Sequence, residues 1–236
     1  MKACVVGYGA MGKILCEMLG DDLALCVAPE LEVKNFDNVK EKFDVIIDFS
    51  NPNNLDMIFD YAKNTHTPVV FATTGYSDEQ NAKISALSKE VAVLKSGNFS
   101  LGVIVLNKLV REATELLKGY DIEIVEAHHN KKIDAPSGTA KMLLKTCVEA
   151  TGYDAKYGRN GYCPRDKREI GVSAVRGGTI VGEHEVMYCG VDEVVTLKHS
   201  AHSKKIFANG AIKAADWLKD KKAGIYNMED VLFGNN

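Results

Sequence analysis

Short apolar runs alternate with helix-spaced stretches through residues 1–100 of the chain. The run KACVV at 2–6 predicts a strand, and a stretch with apolar residues at helical spacing, KILCEMLG at 13–20, follows a glycine-rich turn. The pattern then repeats, with strands predicted at 23–28, 43–50, 67–75 and 91–96 and helices at 51–63 and 78–89. Strands that alternate with helices predict a parallel sheet covered on both faces, with right-handed crossovers.

The pattern changes after residue 98. Ser100 is placed to cap an apolar-periodic helix over 101–117, and DIEIVEAHH at 121–129 predicts another strand. Between 170 and 201, three strand-like segments are separated by turn residues at hairpin-like distances, which predicts a mixed or antiparallel sheet with helices on one face. The amphipathic stretch 207–219 is expected to pack back onto the first lobe. Together these patterns predict an α/β fold, in which a Rossmann-like doubly wound parallel sheet is followed by a second α+β domain with a mixed sheet.

Composition narrows the classes of protein that fit this pattern. The chain has 236 residues, 46% of them hydrophobic, which is enough to build one large domain or two small ones. A formal net charge of -3 offers no basic face, so nucleic acid is not an expected partner. No apolar run has membrane-spanning length, and the six cysteines are scattered without a CxxC pair. We therefore expect reduced thiols, no membrane partner and a cytoplasmic location.

The segment GYGAMG at 7–12 matches GxGxxG, and it follows a predicted strand and opens a helix. Glycines let the backbone turn sharply and approach a pyrophosphate, whose charge the free amides of the helix bind. The alternative is a tight turn without a ligand. The carboxylate that would hold the adenosine ribose, about twenty residues on, is replaced by Val27, Ala28 or Pro29, and Glu30 is the nearest acid. No arginine stands there to select a 2′-phosphate, so the choice between NAD and NADP stays open.

Two further segments, ATTG at 72–75 and SGNFS at 96–100, lie at the carboxyl ends of predicted strands. That edge of an open parallel sheet is where ligands bind, so both are candidate cofactor contacts. The alternative is that their small polar residues only form turns and caps.

The segment EAHHNKKIDAPSGTA at 126–140 carries the candidate substrate chemistry. His128 and His129 can share one cavity only if the strand ends there, because neighbouring strand residues face opposite ways. The residues just before the next apolar-periodic helix can cap it, and the same geometry can seat a carboxylate; they are Ser137, Gly138 and Thr139. A histidine that titrates near neutral pH and a lysine, Lys132, that can deliver a proton complete a site for an acid substrate.

A zinc site is the rival interpretation of the histidine pair. Adjacent histidines lack the usual ligand spacing and no nearby cysteine completes a set, so no metal site is expected. His184, His199 and His202 lie in the later strands and their ends, where packed or exposed histidines are more common than functional ones.

The motifs, taken in order, resemble those of a known family. GYGAMG, ATTG, GNFS, EAHHNKKIDAPSGTA, RGGTIVGEHEV at 176–186 and FANGAIKAA at 207–215 are similar to the signature motifs of 4-hydroxy-tetrahydrodipicolinate reductase, also called dihydrodipicolinate reductase, from the diaminopimelate and lysine pathway. The resemblance covers nearly the whole chain. It implies a dinucleotide-binding domain (1–100 and 208–236), a domain for substrate binding and oligomerisation (101–207), NADH or NADPH as cofactor, a small dicarboxylate substrate and a homotetramer.

The resemblance also implies roles for individual residues. His128 falls on the catalytic acid/base position and Lys132 on the proton donor, while His129, Gly138 and Thr139 fall on substrate-carboxylate positions, to which we add Ser137. The expected cofactor contacts are Gly7, Tyr8, Gly9, Ala10, Met11, Gly12, Ala72, Thr73, Thr74, Ser96, Gly97, Asn98, Phe99 and Lys204. The implied reaction loses water from a cyclic hydroxy-imine, transfers a hydride from the nicotinamide to ring C4 and protonates the neighbouring carbon.

The chain departs from the family pattern around the adenosine half of the cofactor. Ala10, Asn51 and Lys204 stand where many or some members have arginine, and Ala28 and Pro29 stand where an acid or an acid-arginine pair is usual. These changes leave the preference between NADH and NADPH open. Two other functions also stay open at this point, a dehydrogenase for another small acid and a dinucleotide-sensing binding module, although no partner surface or basic recognition helix indicates the latter.

Overall fold

The computed structural model describes residues 1–234, which divide into two compact units. The first unit comprises Met1–Leu101 together with the segment from Lys205 onward, and the second is Gly102–Lys204. The strands are β1 (Ala3–Val6), β2 (Leu23–Val27), β3 (Val45–Asp48), β4 (Val69–Phe71), β5 (Ala92–Lys95), β6 (Asp121–His128), β7 (Asp154–Tyr157), β8 (Glu169–Arg176), β9 (Gly182–Cys189), β10 (Val194–Ala201) and β11 (Gly224–Tyr226). The helices are α1 (Ala10–Leu19), α2 (Leu55–Thr65), α3 (Asp78–Leu87), α4 (Leu101–Leu116), α5 (Gly138–Thr151), α6 (Lys205–Leu218) and α7 (Met228–Phe233).

The first unit is built on a sheet whose paired strands are all parallel within the described residues, in the order β11-β5-β4-β3-β1-β2. The chain leaves β1 to add β2 on one side and later returns to add β3 on the other. The point between β1 and β3 is therefore the topological switch point, outside which open α/β sheets bind their ligands.

The two faces of this sheet have different coverings. Cys4 and Val6 of β1 face a core that also contains Leu55 and Ile58 of α2 and Ile84 of α3. On helices α1 and α6 the buried residues recur at helical spacing, and α6 packs against α1, β3 and β4. The carboxyl-terminal amphipathic helix is thus part of the first unit, and it begins at Lys205, slightly earlier than the sequence pattern indicated.

The second unit is built on a mixed sheet in the order β10-β9-β6-β8-β7. Strands β6, β8 and β7 are parallel to one another, whereas β9 is antiparallel to both β6 and β10. Alternate residues of β6, including Ile122 and Ile124, are buried against α5 residues such as Leu143 and Cys147. One face of the sheet therefore carries the core of this unit.

The fold class predicted from the sequence is confirmed, but parts of the topology were wrong. The hairpin-like spacing between the strands at 170–190 does not make β8 and β9 neighbours, because β6 lies between them. Strand β7, strand β11 and helix α7 were not predicted. All three are short, and β7 is largely exposed, so none carries a long apolar pattern.

Candidate active site

The glycine turn after β1 is held by close backbone packing at two of its three glycines. Gly7 has φ of +101°, and a Cβ there would lie 2.4 Å from the backbone oxygen of Phe49. A Cβ on Gly12 would lie 2.0 Å from the oxygen of Gly7. The backbone nitrogen of Gly7 donates to the oxygen of Val27 at 2.8 Å, which fixes the turn to the end of β2. These two glycines are required by the fold itself, whatever binds there.

The middle glycine is different. Among the described residues, no atom lies within 4 Å of the position that a Cβ on Gly9 would occupy. Gly9 is the N-cap of α1, and as a glycine it has no side chain with which to cap that helix end. An exposed backbone that can be approached closely, beside uncapped amides, fits the pyrophosphate of a dinucleotide.

The other expected cofactor residues of the first unit fall into two groups. Tyr8, Ala10, Met11, Ala72, Thr74, Ser96 and Gly97 are exposed or partly exposed near the carboxyl ends of β1, β4 and β5, whereas Thr73, Asn98 and Phe99 are buried. Thr73 Oγ1 accepts a hydrogen bond from the backbone of Ser50 at 2.8 Å, and Asn98 Oδ1 accepts one from the backbone of Ser100, also at 2.8 Å. These buried side chains shape the loops. Lys204 is exposed and is the last residue of the second unit, whereas the other expected cofactor contacts belong to the first unit.

A buried carboxyl group, Asp48, lies at the end of β3 and was not predicted from the sequence. Ser50 Oγ donates to Asp48 Oδ1 at 2.5 Å, and the Tyr76 hydroxyl donates to Asp48 Oδ2 at 2.7 Å. Burial raises the pKa of Asp48, although these hydrogen bonds act in the opposite direction. The group joins the loop after β3 to the loop after β4.

In the second unit, the predicted histidine site forms around the end of β6. The strand ends at His128, which is 9% exposed, and His128 Nδ1 lies 2.6 Å from Glu126 Oε2. The next residue, His129, is partly exposed, and its backbone oxygen accepts a hydrogen bond from the nitrogen of Lys132 at 3.1 Å. The Lys132 ammonium is 2.7 Å from Asp134 Oδ1. A turn directly after the strand thus places the expected proton donor four residues beyond the expected acid/base residue.

Glu126 is fully buried and is held by several donors. Arg176 Nη1 and Nη2 bond its two carboxylate oxygens at 2.9 and 2.8 Å, and the backbone nitrogen of Ser137 donates to Oε1 at 3.0 Å. Burial alone would raise the pKa of Glu126, but the hydrogen bonds from Arg176, His128 and Ser137 together hold it below its ordinary value. The carboxylate is ionised.

The beginning of α5 shows which of the expected substrate residues have structural roles. Ser137 is 2% exposed, and its hydroxyl caps α5 by accepting from the backbone nitrogen of Ala140 at 3.2 Å. The same hydroxyl is hydrogen-bonded to His184 Nε2 at 2.9 Å, so the Ser137 side chain contacts buried protein groups. Gly138 is exposed and Thr139 partly exposed, which leaves them as the accessible positions at this helix start.

Sequence reasoning missed three members of this cluster, namely Glu126, Arg176 and His184. The ring of His184 is 4% exposed and packs edge-on against that of His128, with centroids 5.1 Å apart. Burial, followed by the charge of His128, lowers the pKa of His184 to about 4. His184 is thus a packed histidine, as its position in a later strand indicated, and the ring that it packs against is that of the expected acid/base residue. The sequence did contain a signal for Glu126, because residues two apart on a strand, such as Glu126 and His128, point to the same face.

The part of the chain that the structure describes lacks two other kinds of site. Within residues 1–234, no group of three or more His, Cys, Asp or Glu side chains is arranged to hold a metal ion. Among the helices of that same region, none combines the length and apolar character needed to span a bilayer. All six cysteines are unpaired.

Family models and known proteins match the chain over almost its whole length. The model described as dihydrodipicolinate reductase, N-terminus, matches residues 1–99, and the one described as dihydrodipicolinate reductase, C-terminus, matches residues 102–232. A protein named 4-hydroxy-tetrahydrodipicolinate reductase from Clostridium novyi (strain NT) is 42% identical, over 97% of this chain and 96% of that protein. One of the same name from Brachyspira hyodysenteriae (strain ATCC 49526 / WA1) is 43% identical, over 98% and 100%.

A solved structure shares the fold. Dipicolinate-bound dihydrodipicolinate reductase from Paenisporosarcina sp. TG-14 superposes with a TM-score of 0.80 at 20% identity, covering 98% of each chain. At this identity the likeness bears on the fold alone.

Proposed function

Because the chain belongs to the dihydrodipicolinate reductase family, we propose that it reduces 4-hydroxy-tetrahydrodipicolinate to tetrahydrodipicolinate in diaminopimelate and lysine biosynthesis. The family match confirms the resemblance carried by the sequence motifs and makes the chain an oxidoreductase that depends on a pyridine nucleotide. The named relatives and the dipicolinate-bound structure support a small dicarboxylate as substrate.

One observation carries the proposal for the second unit. The buried and ionised Glu126 contacts His128 at 2.6 Å at the end of β6, and the turn that follows presents Lys132. An imidazole at the end of the strand and an ammonium in the turn that follows are groups suited to protonating a substrate whose ring is being reduced. The exposed start of α5, at Gly138 and Thr139, offers a place for a substrate carboxylate, because amides at a helix start attract anions.

In this proposal His128 and Lys132 are the catalytic residues. Loss of water from the cyclic hydroxy-imine leaves an unsaturated ring, and the reduced nicotinamide, when bound, would supply the hydride that adds to C4 of that ring. Lys132 donates a proton to the neighbouring carbon, and Asp134 orients its ammonium at 2.7 Å. His128 exchanges protons as acid/base, while His129, Gly138 and Thr139 hold the substrate carboxylates. Ser137 supports the site from behind, by capping α5 and bonding His184.

The cofactor residues are proposed in the first unit. Gly9 and the uncapped amides of α1 take the pyrophosphate, and the partly exposed residues after β4 and β5 contact the rest of the dinucleotide. Glu30, the acid nearest to the end of β2, is exposed, and Ala28 is buried. Neither a ribose-binding acid at the strand end nor an arginine for a 2′-phosphate stands there in the sequence, so the proposal covers NADH and NADPH alike.

The proposed assembly and location follow from other features. Strand β10, which carries the exposed Val194 and Val195, is an edge strand of the mixed sheet, and an edge strand presents backbone groups with which another copy can pair. This supports a homotetramer, the assembly that the family resemblance implies.

Six unpaired cysteines support a reducing compartment, and we place the enzyme in the cytoplasm.

The experiment that tests the function uses substrate made in situ by condensing pyruvate with aspartate semialdehyde. Purified protein is given NADH or NADPH, and cofactor oxidation is followed by absorbance. We expect oxidation only when the condensation product is present. Oxidation that does not depend on this product, or equal turnover with other small keto or imino acids, would defeat the assignment and favour another dehydrogenase.

A further inference from the structure

Each carboxylate oxygen of Glu126 has two hydrogen-bond partners. Both oxygens are occupied by the guanidinium of Arg176, and each has a second partner: the imidazole Nδ1 of His128 on Oε2 and the backbone nitrogen of Ser137 on Oε1. Strand pairing places these groups together, because His128 is in register with Arg176 on β8 and Glu126 with His184 on β9. The carboxylate has 0% exposure, so no water competes for these bonds.

An ionised carboxylate can only accept hydrogen bonds. The Nδ1 atom of His128 must therefore carry the hydrogen that lies between it and Glu126 Oε2. In the neutral imidazole this leaves the lone pair on Nε2, the nitrogen that faces Gly182. A Cβ on Gly182 would lie 3.1 Å from Nε2, so glycine at this position keeps the atom uncrowded.

The other charged and titratable groups around His128 have hydrogen-bond or ion-pair partners other than His128. His184 contacts its ring edge-on and is bonded through Nε2 to the Ser137 hydroxyl. Arg176 is directed at Glu126 and at the backbone oxygens of Asp134 and Val175, and Lys132 is paired with Asp134. Glu126 is thus the side chain in direct contact with His128 that can select its tautomer.

We propose that Glu126 is a positioning residue for His128, which fixes the imidazole as the Nδ1–H tautomer and directs Nε2 toward the substrate, while Arg176 keeps the carboxylate ionised. This role rests on the proposed function for its catalytic consequence. The tautomer itself is a property of the free protein and does not depend on which substrate binds.

The test is the substitution Glu126→Gln, which preserves shape but can present an amide donor to Nδ1. Glu149→Gln, an exposed carboxylate on α5 that pairs with Lys145, is the matched control. Nitrogen NMR of protein labelled with ¹⁵N-histidine reports the tautomer, and the His128 signals are assigned by their loss in His128→Gln. Thermal unfolding confirms that each variant is folded. If Glu126→Gln alone does not fold, Glu126→Gln with Arg176→Gln removes both members of the charge pair and serves in its place.

We expect wild-type His128 to be the Nδ1–H tautomer and the Glu126→Gln variant to lose that signal. In parallel, kcat should fall by about 100-fold, which is the contribution of a correctly disposed acid/base group, with KM changed by less than about threefold. An unchanged tautomer, or kcat equal to that of Glu149→Gln, would overturn the positioning role. If the wild-type protein has no reductase activity, the proposed function fails and the NMR result alone decides the role of Glu126.

Discussion

In each unit a carboxyl group with 0% exposure lies near the carboxyl end of a central strand, and the pKa values of the two groups are shifted in opposite directions. Asp48 on β3 is bonded by the hydroxyls of Ser50 and Tyr76, and burial raises its pKa. Glu126 on β6 is equally buried, but the cation of Arg176 and two further donors outweigh the effect of burial and lower its pKa. The partners, and not the depth of burial, decide the direction of the pKa shift.

The two carboxyl groups therefore have different roles in the two units. Asp48, which accepts hydrogen bonds from the Ser50 and Tyr76 hydroxyls, joins two loops beside the turn where the dinucleotide is proposed to bind. An ionised carboxylate can hold the proton of an imidazole, and Glu126 does so beside the groups proposed to protonate the substrate. The largest effects on turnover are therefore expected in the second unit, and smaller effects on cofactor affinity in the first.

The largest expected effect is on turnover in Lys132→Ala. Loss of the proposed proton donor should lower kcat by at least about 100-fold. The side chain is partly exposed and pairs with the half-exposed Asp134, so the free energy of unfolding should change by less than about 1 kcal/mol. Steady-state kinetics and urea unfolding measure both. Lys145→Ala, an exposed lysine on α5, is the control, and activity equal to that control would remove Lys132 from the mechanism.

The comparison of the two carboxyl groups is tested by Arg176→Gln and Asp48→Asn. Removing the guanidinium leaves an uncompensated buried charge on Glu126, and we expect a loss of about 3–4 kcal/mol in the free energy of unfolding. Asp48→Asn removes no partner of a buried cation–carboxylate pair, and losing one hydrogen bond from the Ser50 or Tyr76 hydroxyl should cost about 1 kcal/mol. Urea titration at neutral pH compares the two variants. Equal destabilisation of the two variants would contradict the contrast between the partners of Asp48 and Glu126.

His184 adds a dependence of stability on pH to the second unit. Its pKa of about 4 in the folded protein lies below the ordinary value of 6.5, so the unfolded chain binds more protons between these two values. The contribution of His184 to stability is complete above pH 6.5 and is lost as the pH falls toward 4, by on the order of 3 kcal/mol. Asp48 changes stability in the opposite direction. Because its pKa is raised in the folded protein, its contribution to the free energy of unfolding decreases as the pH rises. Unfolding of wild type and His184→Gln across this window should show a flatter curve for the variant; identical slopes would contradict the assigned pKa.

The smallest effect on stability is expected at Gly9. Gly9→Ala should change the free energy of unfolding by less than about 1 kcal/mol, because its Cβ would enter open space. Affinity for NADH or NADPH, measured by fluorescence titration, should fall by about tenfold, or roughly 1.4 kcal/mol. Gly7→Ala is the contrasting variant, since its Cβ would clash with the Phe49 backbone and destabilise the fold. Unchanged cofactor affinity in Gly9→Ala would place the dinucleotide elsewhere.

The sequence predicted local elements better than it predicted contacts between them. The valine-rich strands and the helices of the first unit follow from apolar periodicity, and Ser137 caps α5 as its position indicated. Strand β7 was missed because only Ala155 of its four residues packs against the core. Arg176 and His184 were not connected to His128, because their strands become neighbours of β6 only through pairing across tens of residues. Local patterns do not encode strand order, and the charge cluster depends on strand order.

The proposed function requires a hydride to pass from a reduced nicotinamide to the ring of the dicarboxylate substrate. The most direct measurement uses NADH or NADPH carrying deuterium at the transferable C4 position, together with substrate condensed in situ, and mass spectrometry of the product. We predict tetrahydrodipicolinate with a single deuterium at ring C4, formed by the wild-type protein and greatly reduced in Lys132→Ala. Product without deuterium, or cofactor oxidation without labelled product, would contradict the account.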